Sequence, residues 1–403
     1  MSSYLEMHNE LLRKSVSKID KLVAKGRIPL GTRKPYHYYF HKEIKESDIV
    51  WMPYSAATSP ENILILAGTG QMKTVLMKRL AYYHKLRGYN VFVCEPKLPE
   101  WDRARYRPKN YGLHPVEKPT TLPIINFVPS FIIKKLPPEA AKGFKVITSD
   151  MNTFEEAVYW YNLNFTATAT DYIRQIVEKG KLDTPKALIK FIRTKKMHGG
   201  TKQSLMRRLQ TLDDVNLFDY TYGKLDRISI KKYWNKGLIP VVTLFSKKNE
   251  FVSLCIGHIL DEIYNMHLEN PKHPEFLRKF IVIDDASKVI GVYMKEDEFI
   301  SVEIIMNGLN LWRFAGFRFC FATQSPALIN PDVIDACKWF MIAKIGNTEL
   351  LKKYCYNPEI IETIKKLRYE PKKYIIEYVL VHPDKFTYET FFPFLSPVGH
   401  FVS

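Results

Sequence analysis

The chain has 403 residues, 46% of them hydrophobic, and a formal charge of +18 from 60 Lys+Arg against 42 Asp+Glu. Such a chain builds one large domain with an insertion or two domains, which excludes a disordered tail. The basic excess favours a polyanionic partner such as nucleic acid over charge kept for solubility alone. The five cysteines are scattered without a C-x-x-C pair, which argues against a zinc site or a disulfide framework and for a reducing compartment.

In chain order, MSSYLEMHNELLRKSVSKIDKLVAKG alternates charge and leucine at helical spacing. It predicts an amphipathic helix to about Lys25 and lacks the apolar core of a signal peptide. A Pro/Gly-punctuated aromatic stretch with room for short strands runs to Pro60, so residues 1–60 are read as an accessory segment. Next, NILILAG and NVFVCEP enclose TVLMKRLAYYHKLRGY, a strand, helix and strand of about 35 residues, the size of a right-handed parallel crossover.

Between 137 and 237 the strand signal fades, and NTFEEAVYWYNLNF, TATDYIRQIVEKG, TPKALIKFIRTKK and TKQSLMRRLQTL predict successive helices. Strand-like runs resume at LIPVVTLF, KFIVIDD, FRFCFATQ and WFMIAKIG, with helical segments between, and the carboxyl end reads as a hairpin at an edge of the same sheet. The expectation is an α/β core, residues 61–136 and 238–403, with a mostly parallel sheet, interrupted at 137–237 by an all-helical insertion. Apolar runs fall short of the roughly 20 residues a membrane helix needs. No integral membrane segment is expected, and the chain is read as cytoplasmic.

Between the first strand and its helix lie Gly68, Thr69, Gly70, Gln71, Met72, Lys73, Thr74 and Val75, the candidate nucleotide-binding residues. A phosphate-binding loop needs glycine where the backbone curls, a lysine for the outer phosphates and a hydroxyl for magnesium. Gly70, Lys73 and Thr74 are in register, whereas Ala67 and Met72 occupy the outer glycine positions. Met72 is compatible with such a loop only if its φ is negative and its side chain turns away from the nucleotide. The competing reading is an ordinary strand-to-helix turn with a chance Lys-Thr. Two companions favour the loop. FIVIDD is an apolar strand ending in Asp284 and Asp285, one carboxylate for metal-bound water and one to orient or deprotonate the attacking water. FRFCFATQSP ends in Gln324, able to sense a γ-phosphate. A solvated turn is the plain alternative for the paired acids, and glutamine is common at strand ends.

The series AGTGQMKTVLMKRLAYYHKLRGYNVFVCEPKLPEW, FIVIDDA and LNLWRFAGFRFCFATQSPALINPDVI resembles the HerA/FtsK superfamily of P-loop DNA-pumping ATPases, over about Asn62 to Glu349. Glu95-Pro96-Lys97-Leu98-Pro99-Glu100-Trp101 stands where that family has an Asp-Pro-Lys-Gly-Glu-Tyr-like run. Arg313, Gly316 and Ala322-Thr323-Gln324 match its later feature. The resemblance implies a RecA-like core in a homo-hexameric ring, with ATP and Mg2+ at subunit interfaces and duplex DNA in a central channel. By position, Lys73 would hold the β/γ-phosphates, Thr74 and Asp284 the magnesium, and Gln324 would read the γ-phosphate. Asp285 replaces the usual glutamate and is one methylene short, which leaves Glu100 or Glu95 to share its role, or turnover slow. Arg313 is the candidate finger reaching a neighbouring subunit, against a plain helix-end arginine.

Roughly 60 residues ahead of the loop leave little room for the β-barrel of HerA helicases, and no membrane helix of the coupling-protein kind is read there. This leaves the smaller branch serving viruses and plasmids, including genome-packaging ATPases. The dense run Lys190, Arg193, Lys195, Lys196, Lys202, Arg207 and Arg208, around a Gly199-Gly200 turn, can track DNA phosphates or form a solvated helical face. Tyr159, Trp160 and Tyr161 are core anchors or a stacking platform. The expected function is an ATP-dependent translocase of duplex DNA, for packaging or transfer of a viral or plasmid genome. The alternatives are a decayed P-loop protein that binds nucleic acid or serves as a structural module, with Met72 and Asp285 marking lost catalysis, and an unrelated P-loop kinase or switch.

Overall fold

The computed structural model describes residues 27–35, 44–53, 61–97, 99–105, 120–129, 138–141, 143–148, 185–214, 223–224, 227–245, 249–268, 278–294, 300–311, 316–371 and 375–394. The expected amino-terminal helix, the Tyr159 to Tyr161 cluster and Arg313 lie outside the described residues.

Fifteen strands are described. The first seven are β1 (Arg27–Thr32), β2 (Ile49–Pro53), β3 (Asn62–Leu66), β4 (Asn90–Glu95), β5 (Ile124–Pro129), β6 (Lys145–Thr148) and β7 (Gly223–Lys224). The remainder are β8 (Ile239–Thr243), β9 (Lys279–Ile283), β10 (Phe317–Thr323), β11 (Cys337–Ala343), β12 (Tyr369–Glu370), β13 (Ile375–Ile376), β14 (Tyr378–Val381) and β15 (Tyr388–Pro393). The principal helices are α1 (Lys73–Leu86), α2 (Pro185–Thr194), α3 (Gly199–Asp214), α4 (Arg227–Asn235), α5 (Asn249–Leu268), α6 (Ile300–Asn310), α7 (Pro331–Ala336) and α8 (Pro358–Lys366).

Thirteen of the described strands form one sheet, in the order β2-β1-β15-β14-β11-β3-β10-β9-β4-β8-β5-β6-β7. From β11 to β7 every neighbour is parallel. From β11 outward through β14, β15, β1 and β2 every pair is antiparallel. The carboxyl-terminal hairpin was expected at a sheet edge, but β1 and β2 continue the sheet beyond it. Gly31 is what allows β1 so close to β15: a Cβ there would lie 2.1 Å from the Phe392 carbonyl oxygen.

The apolar runs form central strands because both sheet faces are covered. In β3, Ile63 and Ile65 pack on the face that holds α1, while Leu64 and Leu66 pack on the face that holds α5. β10 shows the same alternation with a size difference. Small Cys320 and Ala322 lie on the α1 face, and Phe317, Phe319 and Phe321 stack along the other, with centroids 6.1 and 5.5 Å apart.

The insertion at 137–237 is not all-helical. It carries α2, α3 and α4, but also β6 and β7, which pair in parallel at the far edge of the sheet. Lys145-Val-Ile-Thr satisfies its backbone against the open edge of β5, an outlet invisible to a helical-periodicity reading.

Candidate active site

The loop between β3 and α1 is anchored at both ends by long-range contacts. The Ala67 N–H donates to the Thr323 carbonyl at 3.1 Å, tying the end of β3 to the end of β10. The buried Gln71 side chain accepts from the Gly68 N–H and donates to the Lys344 carbonyl at 2.9 Å. The Tyr378 hydroxyl donates to the Gln71 carbonyl. Between these anchors Thr69 and Gly70 form the exposed turn of the loop, where Gly70 adopts φ 75°. Thr69 carries the second hydroxyl of the loop, and it differs from Thr74 in its setting: Thr69 is exposed at the turn, whereas Thr74 is buried in the first turn of α1.

Met72 corrects the expectation of negative φ. Its φ is 65° and ψ 21°, the left-handed conformation in which such loops ordinarily place glycine. The cost to an L-residue is about 1–2 kcal/mol. Met72 offsets it by packing its unbranched side chain against the α1-face core, and its carbonyl accepts the Leu76 N–H at 3.0 Å, the first hydrogen bond of α1. The side chain thus packs on the core while the backbone keeps the glycine-type curl.

Lys73 Nζ donates back to the Ala67 and Gly68 carbonyls at 2.5 and 2.9 Å. Burial lowers its pKa, with the Asp284 carboxylate opposing that shift. Thr74 Oγ1 donates to Asp284 Oδ2 at 3.0 Å. Asp284 is fully buried at the end of β9, and its Oδ2 also accepts from Trp101 Nε1 at 3.4 Å and pairs with Lys97 Nζ at 2.9 Å. Lys97 donates further to Thr74 Oγ1 at 2.9 Å and to Glu100 Oε2 at 3.0 Å. Although Lys97 is half-buried, which by itself would lower its pKa, the Asp284 and Glu100 carboxylates raise it beyond the usual lysine range.

Glu95 and Glu100, both open as catalytic helpers in the sequence, separate here. Glu100 lines the cavity. Glu95 is fully buried and accepts from the Glu100 and Trp101 N–H groups at 2.6 and 3.1 Å and from Thr243 Oγ1 at 3.1 Å. It shapes the loop that presents Lys97 and Glu100. Burial, reinforced by Asp284, pushes its pKa up to about 8.

Asp285 follows Asp284 in a left-handed conformation, φ 59°, which aspartate tolerates better than most residues. It accepts from Ser287 Oγ at 3.3 Å and pairs with Lys288 Nζ at 3.4 Å. Exposed Gln324 stands at the end of β10. One cavity of about 350 Å³ is lined by Gly68, Thr69, Gly70, Gln71, Met72, Lys73, Thr74 and Val75, by Lys97, Glu100, Asp284, Asp285 and Gln324, and by Pro371 and Ile376 from the β12–β13 hairpin region. Among the described residues no arginine lines it.

The donor set suits a hard divalent cation. Asp284 Oδ1 is buried without a hydrogen-bond partner, and the Thr74 hydroxyl lies beside the same carboxylate. Among the described residues no cluster of three His, Cys, Asp or Glu side chains forms a self-sufficient metal cage. Two protein oxygens plus phosphate oxygens and water are the usual surroundings of Mg2+ in a phosphate site.

No family model and no curated protein matches the sequence. Among solved structures, VirB4 of Thermoanaerobacter pseudethanolicus is similar, with TM-score 0.58 at 11% identity, covering 91% of this chain and 96% of that one. The chain has the fold of the RecA-like P-loop NTPases. Also similar are the bacterial conjugative coupling protein TrwBdeltaN70 in complex with sulphate, at TM-score 0.48, 13% identity and 94% of each chain, and the genome-packaging NTPase B204 of Sulfolobus turreted icosahedral virus 2 with AMPPCP. The latter has TM-score 0.41 and 10% identity, over 83% of this chain and 98% of that one.

Within this P-loop NTPase fold the basic cluster lies on α2, on the connection after it and on α3, and the two helices pack on each other through buried Leu188, Ile189, Ile192, Leu205 and Leu209. Lys190, Arg193, Lys195, Lys196 and Arg207 are exposed. Lys202 is half-buried and donates to the Arg193 and Lys195 carbonyls at 2.8 and 3.0 Å, closing the end of α2. The side chain of Arg208 lies outside the described residues, and Gly199-Gly200, read as a turn, forms the start of α3.

Sequence reasoning assigned no role to Lys97, Trp101 or Tyr378. Lys97 and Trp101 were visible as part of a motif, but their meeting with Asp284 depends on β4 lying beside β9. All five cysteines are free and buried. No helix among the described residues is long and apolar enough to cross a membrane.

Proposed function

We propose that the chain is a DNA-translocating ATPase of the HerA/FtsK kind, moving duplex DNA in the packaging or transfer of a viral or plasmid genome. The observation that carries the reading is the position of β10 between β3 and β9, parallel to both. It brings Lys73 and Thr74, Asp284 and Asp285, and Gln324 to one cavity.

In this reading the N–H groups of the loop from Gly68 and Thr69 onward, together with Lys73, hold the phosphates of ATP, Lys73 leaving its own loop carbonyls to do so. Thr74 and Asp284 hold Mg2+, which when bound neutralises developing charge on the phosphate oxygens. Asp285 orients the attacking water and takes its proton, with Glu100 facing the same cavity. Gln324 contacts the γ-phosphate and couples its loss to β10. The cationic finger comes from Arg313 of a neighbouring copy in a homo-hexameric ring. The core comprises 61–136 and 238–403, and the insertion at 137–237 presents Lys190, Arg193, Lys195 and Lys196 to the DNA backbone.

The test is ATP hydrolysis with and without duplex DNA, for the parent and Lys73→Ala. DNA-stimulated turnover lost in the variant is expected. A parent with no turnover above the variant overturns the motor and leaves a nucleic-acid-binding module on a decayed site.

A further inference from the structure

Three oxygens from three separate segments converge on the Lys97 ammonium: Asp284 Oδ2 at 2.9 Å, Thr74 Oγ1 at 2.9 Å and Glu100 Oε2 at 3.0 Å. An ammonium has three protons and no acceptor, so this arrangement engages each proton once. One of these oxygens, the Thr74 hydroxyl, is one the site offers a divalent cation, and a second belongs to the Asp284 carboxylate whose other oxygen, Oδ1, is unpartnered and open to that cation. Mg2+ binds oxygen at about 2.0–2.1 Å, so an ion held by the Thr74 hydroxyl and the Asp284 carboxylate would sit against the Lys97 ammonium, which already engages both groups. The lysine is not a remote surface group that happens to reach in. It sits three residues before Glu100 on a loop that Glu95 fastens through the Glu100 and Trp101 N–H groups. Trp101 in turn donates to the same Asp284 oxygen.

We propose that Lys97 is a tethered cation that occupies the metal position in the nucleotide-free protein and makes metal entry conditional on nucleotide. The inference rests on the reading of Thr74 and Asp284 as the metal's protein ligands. Without nucleotide, a divalent ion would gain few protein ligands while displacing an ammonium held at high effective concentration by its own backbone. With nucleotide, phosphate oxygens complete the ion's shell, and Lys97 swings away from Thr74, Asp284 and Glu100 on its four-carbon stem, still tethered by its own backbone. The release breaks the Lys97–Glu100 ion pair only when the cavity is loaded. Premature metal binding and engagement of Glu100 are thereby held off together.

The experiment titrates Mn2+, read by electron paramagnetic resonance, into nucleotide-free full chain. Lys97→Met is expected to bind one Mn2+ at least ten times more tightly than the parent. Lys97→Arg, which keeps the charge, should stay near the parent. Lys97→Gln is the second variant should Lys97→Met not fold, with a gain in the same direction. In Lys97→Met combined with Asp284→Asn the gain should vanish. Parent-like Mn2+ affinity in both neutral variants overturns the proposal, as does a gain that survives loss of the Asp284 charge. No ATP is present, so failure here is distinct from failure of the ATPase reading, which shows in turnover.

Discussion

Thr74 and Asp284 stand 210 positions apart in the chain and meet in a hydrogen bond of 3.0 Å between the Thr74 hydroxyl and the buried Asp284 carboxylate. The contact joins the first turn of α1 to the end of β9. It depends on β10 separating their strands by a single place in the sheet. A substitution at either end is therefore felt by the other.

Removing that carboxylate's neighbour is the sharper test of chemistry. Asp285→Asn is expected to lower kcat by at least about 100-fold, the scale of a lost general base, with ATP binding retained. Glu100→Gln should cost less. Single-turnover hydrolysis and equilibrium binding of a fluorescent ATP analogue separate the two effects, and equal losses would move the base from Asp285 to both carboxylates.

Met72 provides a backbone test. Met72→Gly relieves the left-handed strain but loses side-chain packing, so its stability should stay within about 1 kcal/mol of the parent. Met72→Val puts a β-branched side chain at φ 65° and should be less stable than Met72→Gly by about 1 kcal/mol or more. Urea midpoints of the three proteins check the order.

Gly31→Ala should destabilise by about 1–3 kcal/mol, the range for steric overpacking, because its Cβ would meet backbone, which cannot rotate away. Chemical denaturation reads the change. An unaltered midpoint would mean that β1 does not pair with β15 in solution.

Glu95 predicts a pH dependence. Its folded pKa of about 8 lies above the ordinary value of 4.5, so the folded state holds the proton more tightly. Its contribution is fully present below pH 4.5 and is lost as pH rises through 8. Buried Lys78, lowered to about 8 from 10.5, acts in the window above, where its cost is relieved as it loses its proton. Glu95→Gln should therefore flatten the decline of Tm between about pH 5 and 8. Parallel melts of parent and variant with the same slope would place a charged Glu95 in the fold.

The basic helices yield a salt-dependence prediction. Replacing exposed Lys190 and Arg193 by alanine should weaken DNA binding across sequences and reduce the salt slope by about 1 per lost phosphate contact. Lys202→Ala should instead lower the stability of the α2–α3 pair, since that ammonium closes the carboxyl end of α2. Fluorescence anisotropy across a salt series, with melting curves, distinguishes them.

By itself the sequence determined the strand, loop and helix around Lys73, the acidic end of KFIVIDD and the glutamine end of FRFCFATQ. Each is a local pattern whose apolar run, turn residues and polar terminus fall within a few positions. Only the tertiary structure decided which strand lies beside which. Parallel strands buried on both faces look alike in sequence, and their ladders use the same backbone groups whatever the neighbour. That order brings β10 between β3 and β9, and β4 beside β9, so that Lys97, Glu100 and Trp101 reach the Asp284 site. The left-handed turn at Met72 was likewise beyond local rules, which assign that backbone to glycine. Packing of the methionine side chain against the core offsets the strain, and packing is a property of the assembled protein.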